Sequence, residues 1–418
     1  MNKKFTFIDL FAGCGGLSLG LEQAGFHPVY VNELNKDALE TYLVNRNEYP
    51  LLRDPRFHSR DIYELTKKNK LNELSNNLKK EFNLKKGDVS LVVGGPPCQG
   101  FSGIGHRRNY FVEKEKIPSN FLYREMVKVI KHIEPKGFIF ENVRGLLNSK
   151  WTKDGEKGEI FEDVKKEFSK LKNYFFDYAL VQSKDYGVPQ NRPRIILIGI
   201  RKDIGFIPDK NKIASGLLPE KSKDYPNPLE LLGDLIDLTY SKNLVTKIYK
   251  HQPQNDIQKN LRRKKGKNSF YEKGETLTDQ EYSNHSQNII KKFQYMIDNK
   301  GKIPSKMKTK KFAQRVIPKV WDENGPNITA TSLPDDYVHF SQPRSFTVRE
   351  WARIQMFPDW YIFAGKRTTG GTRRAGNPHE GIWDREVPKY TQIGNAVPVE
   401  LARRIGLNLK KSIIKLIF

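Results

Sequence analysis

Across residues 1–200, short apolar runs alternate with stretches whose apolar positions recur at helical spacing, and this alternation leaves the chain few folds to choose from. Strand-like runs occur at Phe5–Phe11, Pro28–Glu33, Val89–Val93, Gly137–Glu141 and Arg194–Ile200, with helical patterns at residues 17–24, 36–44, 123–133 and 160–171. Units of this kind build a mostly parallel sheet covered by helices on both faces. The expected fold is α/β, a doubly wound sheet over residues 1–200, whose ligand crevice would lie at the carboxyl ends of the strands. From about Lys202 the pattern loosens. Pro208, Pro219, Pro226 and Pro228 precede a basic cluster at Arg262–Lys267, so residues 201–343 read as a second, smaller domain, its variable part ending near residue 311. Residues 344–389 carry a helix at 347–356 and then a basic, glycine-rich insert. Residues 390–418 close the chain with a further helical pattern.

The charge balance narrows the partners. Lys and Arg number 73 against 48 Asp and Glu, a formal net charge of +25, which favours a polyanion and nucleic acid first. No apolar run approaches the ~18 residues of a membrane span. The first residues enter a strand-like pattern without the features of a secretory signal, so the expected location is the cytoplasm. Two cysteines, Cys14 and Cys98, with no repeated Cys/His pairs, supply neither a disulfide framework nor a structural metal site.

Three segments carry chemistry. The loop Asp9-Leu-Phe-Ala-Gly-Cys-Gly-Gly-Leu17 lies between a strand and a helix, but its glycines at 13, 15 and 16 miss the dinucleotide spacing. Glu33, at the end of the second strand, has the residue type that accepts hydrogen bonds from a ribose diol, although alone it reads equally as a solvated strand end. The segment Gly95-Pro-Pro-Cys-Gln-Gly-Phe-Ser102 sets a cysteine after a rigid Pro-Pro pair at the end of a strand, which suits a thiolate nucleophile better than a core residue. Cys14 reads as packing within its turn.

With these segments stand Glu141-Asn-Val143, Gln190-Asn-Arg-Pro-Arg194, Arg344-Ser-Phe-Thr-Val-Arg-Glu-Trp-Ala-Arg-Ile-Gln355 and Gln392-Ile-Gly-Asn-Ala-Val-Pro398, in that order along nearly the whole chain. Together they resemble the DNA cytosine-5 methyltransferases. The resemblance implies a Rossmann-like methyltransferase fold with a target-recognition domain, S-adenosylmethionine as donor, and a cytosine flipped out of double-stranded DNA. It assigns Cys98 as nucleophile, Glu141 as the acid at ring nitrogen 3, Arg194 as the donor to the cytosine carbonyl, and Arg192 as support beside it. It carries Phe11, Ala12, Gly13, Gly15, Gly16, Leu17, Glu33, Asp61, Ile62, Pro96, Asn395, Ala396 and Val397 to the donor pocket. DNA contacts are expected from Arg107 and Arg108 in the loop after Cys98. Others are expected from Arg367, Arg373 and Arg374 in the insert, which has no counterpart of this length in many relatives and reads equally as a solvated basic loop. The resemblance further implies a monomer acting in a prokaryotic cell as the modification half of a restriction system, beside an independent nuclease. The rivals are an RNA-methylating relative, a catalytically inactive DNA-binding relative and a nicotinamide-dependent oxidoreductase. The large variable region disfavours the first, the retained Cys98, Glu141 and Arg194 the second, and the glycine spacing the third.

Overall fold

The computed structural model describes residues 5–97, 114–222, 224–241, 243–308, 314–320, 336–369 and 386–414; Cys98, Arg107, Arg108, Arg373 and Arg374 lie outside the described residues. In chain order come β1 (Phe5–Leu10), α1 (Gly16–Gln23), β2 (Phe26–Asn32), α2 (Lys36–Val44), β3 (His58–Ser59), α3 (Ile62–Leu65), α4 (Lys68–Phe82), β4 (Leu91–Gly94), α5 (Leu122–Ile133), β5 (Gly137–Val143), α6 (Glu159–Phe168), β6 (Tyr174–Gln182) and β7 (Pro193–Arg201). The seven strands form one sheet in the order β3-β2-β1-β4-β5-β7-β6. Only β7 runs antiparallel to its neighbours, slotted between β5 and β6.

The central strands are apolar on both faces because both faces are covered. Ile8, Leu10, Val92, Phe138 and Phe140 pack towards α4, α5 and α6. Phe7, Leu91, Val93 and Ile139 pack on the opposite side, with α1 and the helix Val399–Ile414. Four elements were not anticipated from the sequence, the very short β3 and α3 among them. Helix α4 shows its core face only as Leu71, Leu74 and Leu78 in a lysine- and asparagine-rich stretch. Strand β6 lies at the sheet edge, where half-exposed positions weaken the hydrophobic pattern.

Beyond β7 the chain forms short helices around one seven-residue helix, Val348–Ile354, every residue of which is buried. Thr347 opens it with a capping box closed by Glu350. Its arginines are structural. Arg353 binds Asp234 at 2.6 Å and Asp359 at 2.7 Å, and Arg344 binds Glu350 at 2.6 Å, all of them inaccessible to solvent. Burial would raise the Glu350 carboxyl, but the Arg344 guanidinium outweighs it and holds the pKa at about 2. Breaking such a buried pair on one side typically costs ~3–5 kcal/mol.

The chain end returns to the first domain by laying helix Val399–Ile414 along α1. Closeness depends on Gly20, where a Cβ would sit 2.4 Å from both the Ala402 Cβ and the Val399 carbonyl oxygen. Gly406 plays the matching part, a Cβ there meeting Ala24 at 2.8 Å. Beneath this seam, at the end of β1, Asp9 is buried and accepts a short hydrogen bond from the Ser18 hydroxyl, which also pairs with the Tyr42 hydroxyl at 2.9 Å. Burial pushes Asp9 up to about 7, with Ser18 and Arg46 pulling against it.

Two expectations follow. Gly20→Ala would stabilise an ordinary exposed helix by ~1 kcal/mol, whereas here overpacking should destabilise by ~1–3 kcal/mol, so a lowered Tm rather than a raised one is the outcome. For Asp9, the folded state holds its proton more tightly than the unfolded chain between the ordinary carboxylate value and about 7. Its contribution is therefore greatest at low pH and is lost as pH rises through that window. Relative to Asp9→Asn, the native protein should lose Tm steadily from about pH 4 to about pH 7 and level off above it; parallel Tm curves for the two proteins would contradict this.

Candidate active site

The candidate residues gather at the carboxyl edge of the sheet. At the end of β1, Phe11 adopts a left-handed backbone (φ 57°), as do Gly13 (φ 56°) and Gly15 (φ 82°), turning the chain sharply from strand into α1. The Ala12 N–H donates to the Asn32 carbonyl at 3.0 Å, tying this loop to the end of β2. One residue on, Glu33 accepts from the Gly13 N–H through Oε2 and from the Asn35 N–H through Oε1, both at 2.8 Å. Its carboxyl is half-buried, and burial raises its pKa while the two N–H groups lower it.

The rest of the pocket assembles around this loop. Asp61 caps α3 by accepting from the Tyr63 N–H at 2.8 Å and is exposed at the end of β3, while Ile62 is buried behind it. Gly16 lies under the returning chain, since a Cβ there would meet the Val397 carbonyl oxygen at 2.3 Å and the Ala396 Cβ at 3.1 Å. Leu17 is buried beside Val397 in the same core. Asn395 is exposed next to them.

The second cluster stands on β5 and β7. Val143 faces Arg194 in the antiparallel register, and the Arg194 Nε lies 2.7 Å from the Glu141 Oε1. Burial lowers the pKa of Arg194 and Glu141 counters it. Glu141 also reaches the turn that leads to Cys98: a Cβ on Gly95 would sit 2.9 Å from its Oε2, so any side chain there would have to displace the carboxylate. Asn142 fixes the same turn by donating from Nδ2 to the Pro96 carbonyl at 3.1 Å. Pro96 is buried and Pro97 is exposed at the end of the described segment.

Arg192 sits under this site rather than in it. Fully buried, it donates through Nη2 to the Gly394 carbonyl at 2.8 Å and the Asn395 carbonyl at 3.3 Å. Gln355 donates through Nε2 to the carbonyls of Ile393 at 2.7 Å and Ala396 at 3.4 Å, and itself accepts from Gln190 at 2.7 Å. The helix Lys389–Asn395 thus ends on side-chain donors instead of solvent, which meets the need of its unpaired carbonyls. Three motifs far apart in sequence meet at this point.

Arg367, expected at DNA, also makes a contact within the chain. Its Nη1 donates to the Glu281 carbonyl at 3.0 Å, and Lys366 pairs with Glu386 at 3.0 Å, so both cations are engaged within the chain. Residues that the sequence did not single out also shape the site. Arg46, Tyr42 and Tyr361 are buried directly beneath the glycine loop. No local motif marks them, because the contacts of Arg46 with Glu22 and Gly15 and of Tyr361 with Cys14 span 24 to 347 positions. Among the described residues, no group of acidic, His or Cys side chains could hold a metal, and no helix is long and apolar enough to cross a membrane.

The first cluster suits an adenosine-bearing donor. Its carboxylate is held at the end of β2 by two N–H groups, and a Cβ built on Gly13 meets nothing within 4 Å, so the loop backbone is open to close approach.

Comparison with known proteins agrees with this layout. The family model for C-5 cytosine-specific DNA methylase matches residues 5–411. The chain is 31% identical over 415 residues to the Type II methyltransferase M.DdeI of Desulfomicrobium norvegicum, spanning 96% of this chain and 87% of that one. It is 30% identical over 403 residues to the Type II methyltransferase M1.HphI of Haemophilus parahaemolyticus, spanning 96% and 85%. In fold it is similar to a prophage-encoded DNA modification methyltransferase of E. coli, with a TM-score of 0.64 at 21% identity over 97% of this chain and 99% of that one. The Entamoeba histolytica methyltransferase EhMeth follows at a TM-score of 0.52 and 16% identity, over 98% and 99%. With its ordered motifs joined at one sheet edge and the family model matched over almost its full length, the chain belongs to the C-5 cytosine-specific DNA methylases, which take their methyl group from S-adenosylmethionine.

Proposed function

We propose that the protein methylates carbon 5 of a cytosine flipped out of a short, specific duplex sequence, through a covalent bond from Cys98, as the modification enzyme of a restriction-modification system. The observation that carries this reading is the Glu141–Arg194 pair set against Gly95 at the base of the turn leading to Cys98. The names of the relatives, Type II methyltransferases from bacteria, support the biological setting; a prokaryotic cytoplasm, a monomer and a separate cognate nuclease belong to the same proposal.

Carbon 5 of cytosine is too weak a nucleophile to attack a methyl sulfonium directly. Addition of the Cys98 thiolate at carbon 6 makes carbon 5 enamine-like. Charge then accumulates on ring nitrogen 3, where Glu141 supplies a proton. Two nitrogens of Arg194 are committed, Nε to Glu141 and Nη1 to the Pro193 carbonyl at 2.8 Å, which sets the guanidinium plane. The third is the donor we assign to the cytosine carbonyl oxygen. Asn142 holds the Pro96 carbonyl and so keeps the nucleophile's turn in register with Glu141. S-adenosylmethionine, held by residues 11–17, Glu33, Asp61, Ile62, Pro96 and 395–397, supplies an electrophilic methyl group. Loss of the carbon 5 proton and elimination of Cys98 restore the aromatic ring. Arg107, Arg108, Arg373 and Arg374 are assigned to DNA contacts on their charge. Arg367, whose Nη1 is held by the Glu281 carbonyl, is assigned with them.

Duplex DNA carrying 5-fluorocytosine at the methylated position should trap an adduct on Cys98, because fluorine cannot leave as a proton does. Peptide mapping of the adduct to Cys14, or no adduct with an active enzyme, would overturn the assignment. Glu141→Gln should keep DNA affinity but slow single-turnover transfer of tritiated methyl by ~100-fold or more, the usual weight of a general acid. An unchanged rate would remove Glu141 from the mechanism.

A further inference from the structure

The glycine loop is held by a residue 347 positions further along the chain. Tyr361 is fully buried, and its hydroxyl donates to the Cys14 carbonyl at 2.5 Å while accepting from Arg46 Nη1 at 3.2 Å. Arg46 Nη2 reaches the next loop carbonyl, Gly15, at 3.3 Å. The guanidinium is fixed in turn by Glu22 at 2.6 Å and lies 3.7 Å over the Tyr42 ring. Two consecutive carbonyls of the loop are therefore held by one hydroxyl and one guanidinium. Fit is close: a Cβ on Gly15 would come within 2.9 Å of both Arg46 terminal nitrogens. Burial raises the Tyr361 pKa beyond the ordinary phenol range, so the hydroxyl stays a donor at any working pH.

The position of Tyr361 is decided elsewhere. Its carbonyl accepts from Arg349 Nη2 at 2.9 Å. Two residues earlier, Asp359 is clamped by Arg353 and accepts from the Tyr249 hydroxyl at 2.6 Å, and its N–H donates to the Leu261 carbonyl at 2.8 Å. Tyr249 and Leu261 belong to the region expected to read DNA. The turn 357–363 thus carries the placement of that region into the loop.

We propose that Tyr361 is a positioning residue for the methyl donor: its hydroxyl, with Arg46, sets the shape of the loop at residues 13–15 and makes donor affinity depend on how the DNA-reading region is seated. This rests on the reading of residues 11–17 as the donor loop. Tyr361→Phe keeps the ring and its packing but leaves the buried Cys14 carbonyl without its donor.

The test is calorimetric binding of S-adenosylhomocysteine to the full chain without DNA, together with steady-state kinetics. Tyr361→Phe should weaken binding by about 10-fold and raise the donor KM in parallel, with kcat within about threefold and duplex affinity unchanged. Thr41→Val is the control. The Thr41 hydroxyl donates to Gln392 Oε1 at 2.7 Å and accepts from the Ala364 N–H at 2.8 Å, at the same seam but away from the loop carbonyls. It should lower Tm without changing donor affinity. An unchanged dissociation constant in Tyr361→Phe, or an equal weakening in Thr41→Val, would overturn the proposal. Should Tyr361→Phe fail to fold, Arg46→Lys carries the same expectation, since lysine keeps the charge beside Glu22 but cannot span both Gly15 and Tyr361; unchanged affinity there is equally fatal. Glu33→Ala separates the two levels. If it leaves S-adenosylhomocysteine binding intact, the donor-loop reading itself fails, whereas loss of binding in Glu33→Ala beside normal binding in Tyr361→Phe defeats only the role of Tyr361.

Discussion

Arg192 and Gln355 together take the carbonyls of residues 393–396, and the architecture of the site depends on that grip. A helix end leaves its last carbonyls without partners, and burying them unpaired would cost several hydrogen bonds. Here two buried side chains, Arg192 just before β7 and Gln355 at the end of the arginine-rich helix, meet the need. The chain end is thereby bound to the strand that carries Arg194 and to the helix that organises the second half. Release of either side chain would leave polar backbone unpaired in the core, next to the close contact of residues 396–397 with Gly16.

A chain with this excess of cations still buries several arginines, and each is held by acids or carbonyls. Arg353 lies between Asp234 and Asp359, Arg344 on Glu350, Arg262 on Asp234 and Arg46 on Glu22. These guanidiniums contribute nothing to attraction for a polyanion. They act as branched donors that bring four or five segments to one point, a task suited to the planar fork and poorly served by lysine. The motif Arg344–Gln355 is therefore an internal joint. Its charge is spent within the chain, where it holds the second half together.

The parallel sheet was legible because central strands covered on both faces must be apolar throughout, as β4 and β5 are. Strand β6 escaped because an edge strand needs no such continuity, and α4 because a surface helix needs only a narrow apolar stripe. Within the site, Glu33, Glu141 and Arg194 could be named from motifs, since each stands at a strand end where the residue type itself does the work. Arg46, Tyr361 and the amide of Asn142 could not be given roles, because what they do is defined by a backbone carbonyl on another segment.

By itself the sequence determined the chemistry on offer: a cysteine after two prolines, a carboxyl and a guanidinium at strand ends, and a glycine loop without the dinucleotide spacing. Periodicity determined the sheet, since burial on two faces leaves a mark on every residue of a strand. Only the tertiary structure decided which cations are internal and which side chain supports which loop. Those outcomes depend on distances between residues hundreds of positions apart, and a hydrogen bond to a backbone carbonyl selects its partner by geometry, leaving no trace in the identity of the residue that accepts it.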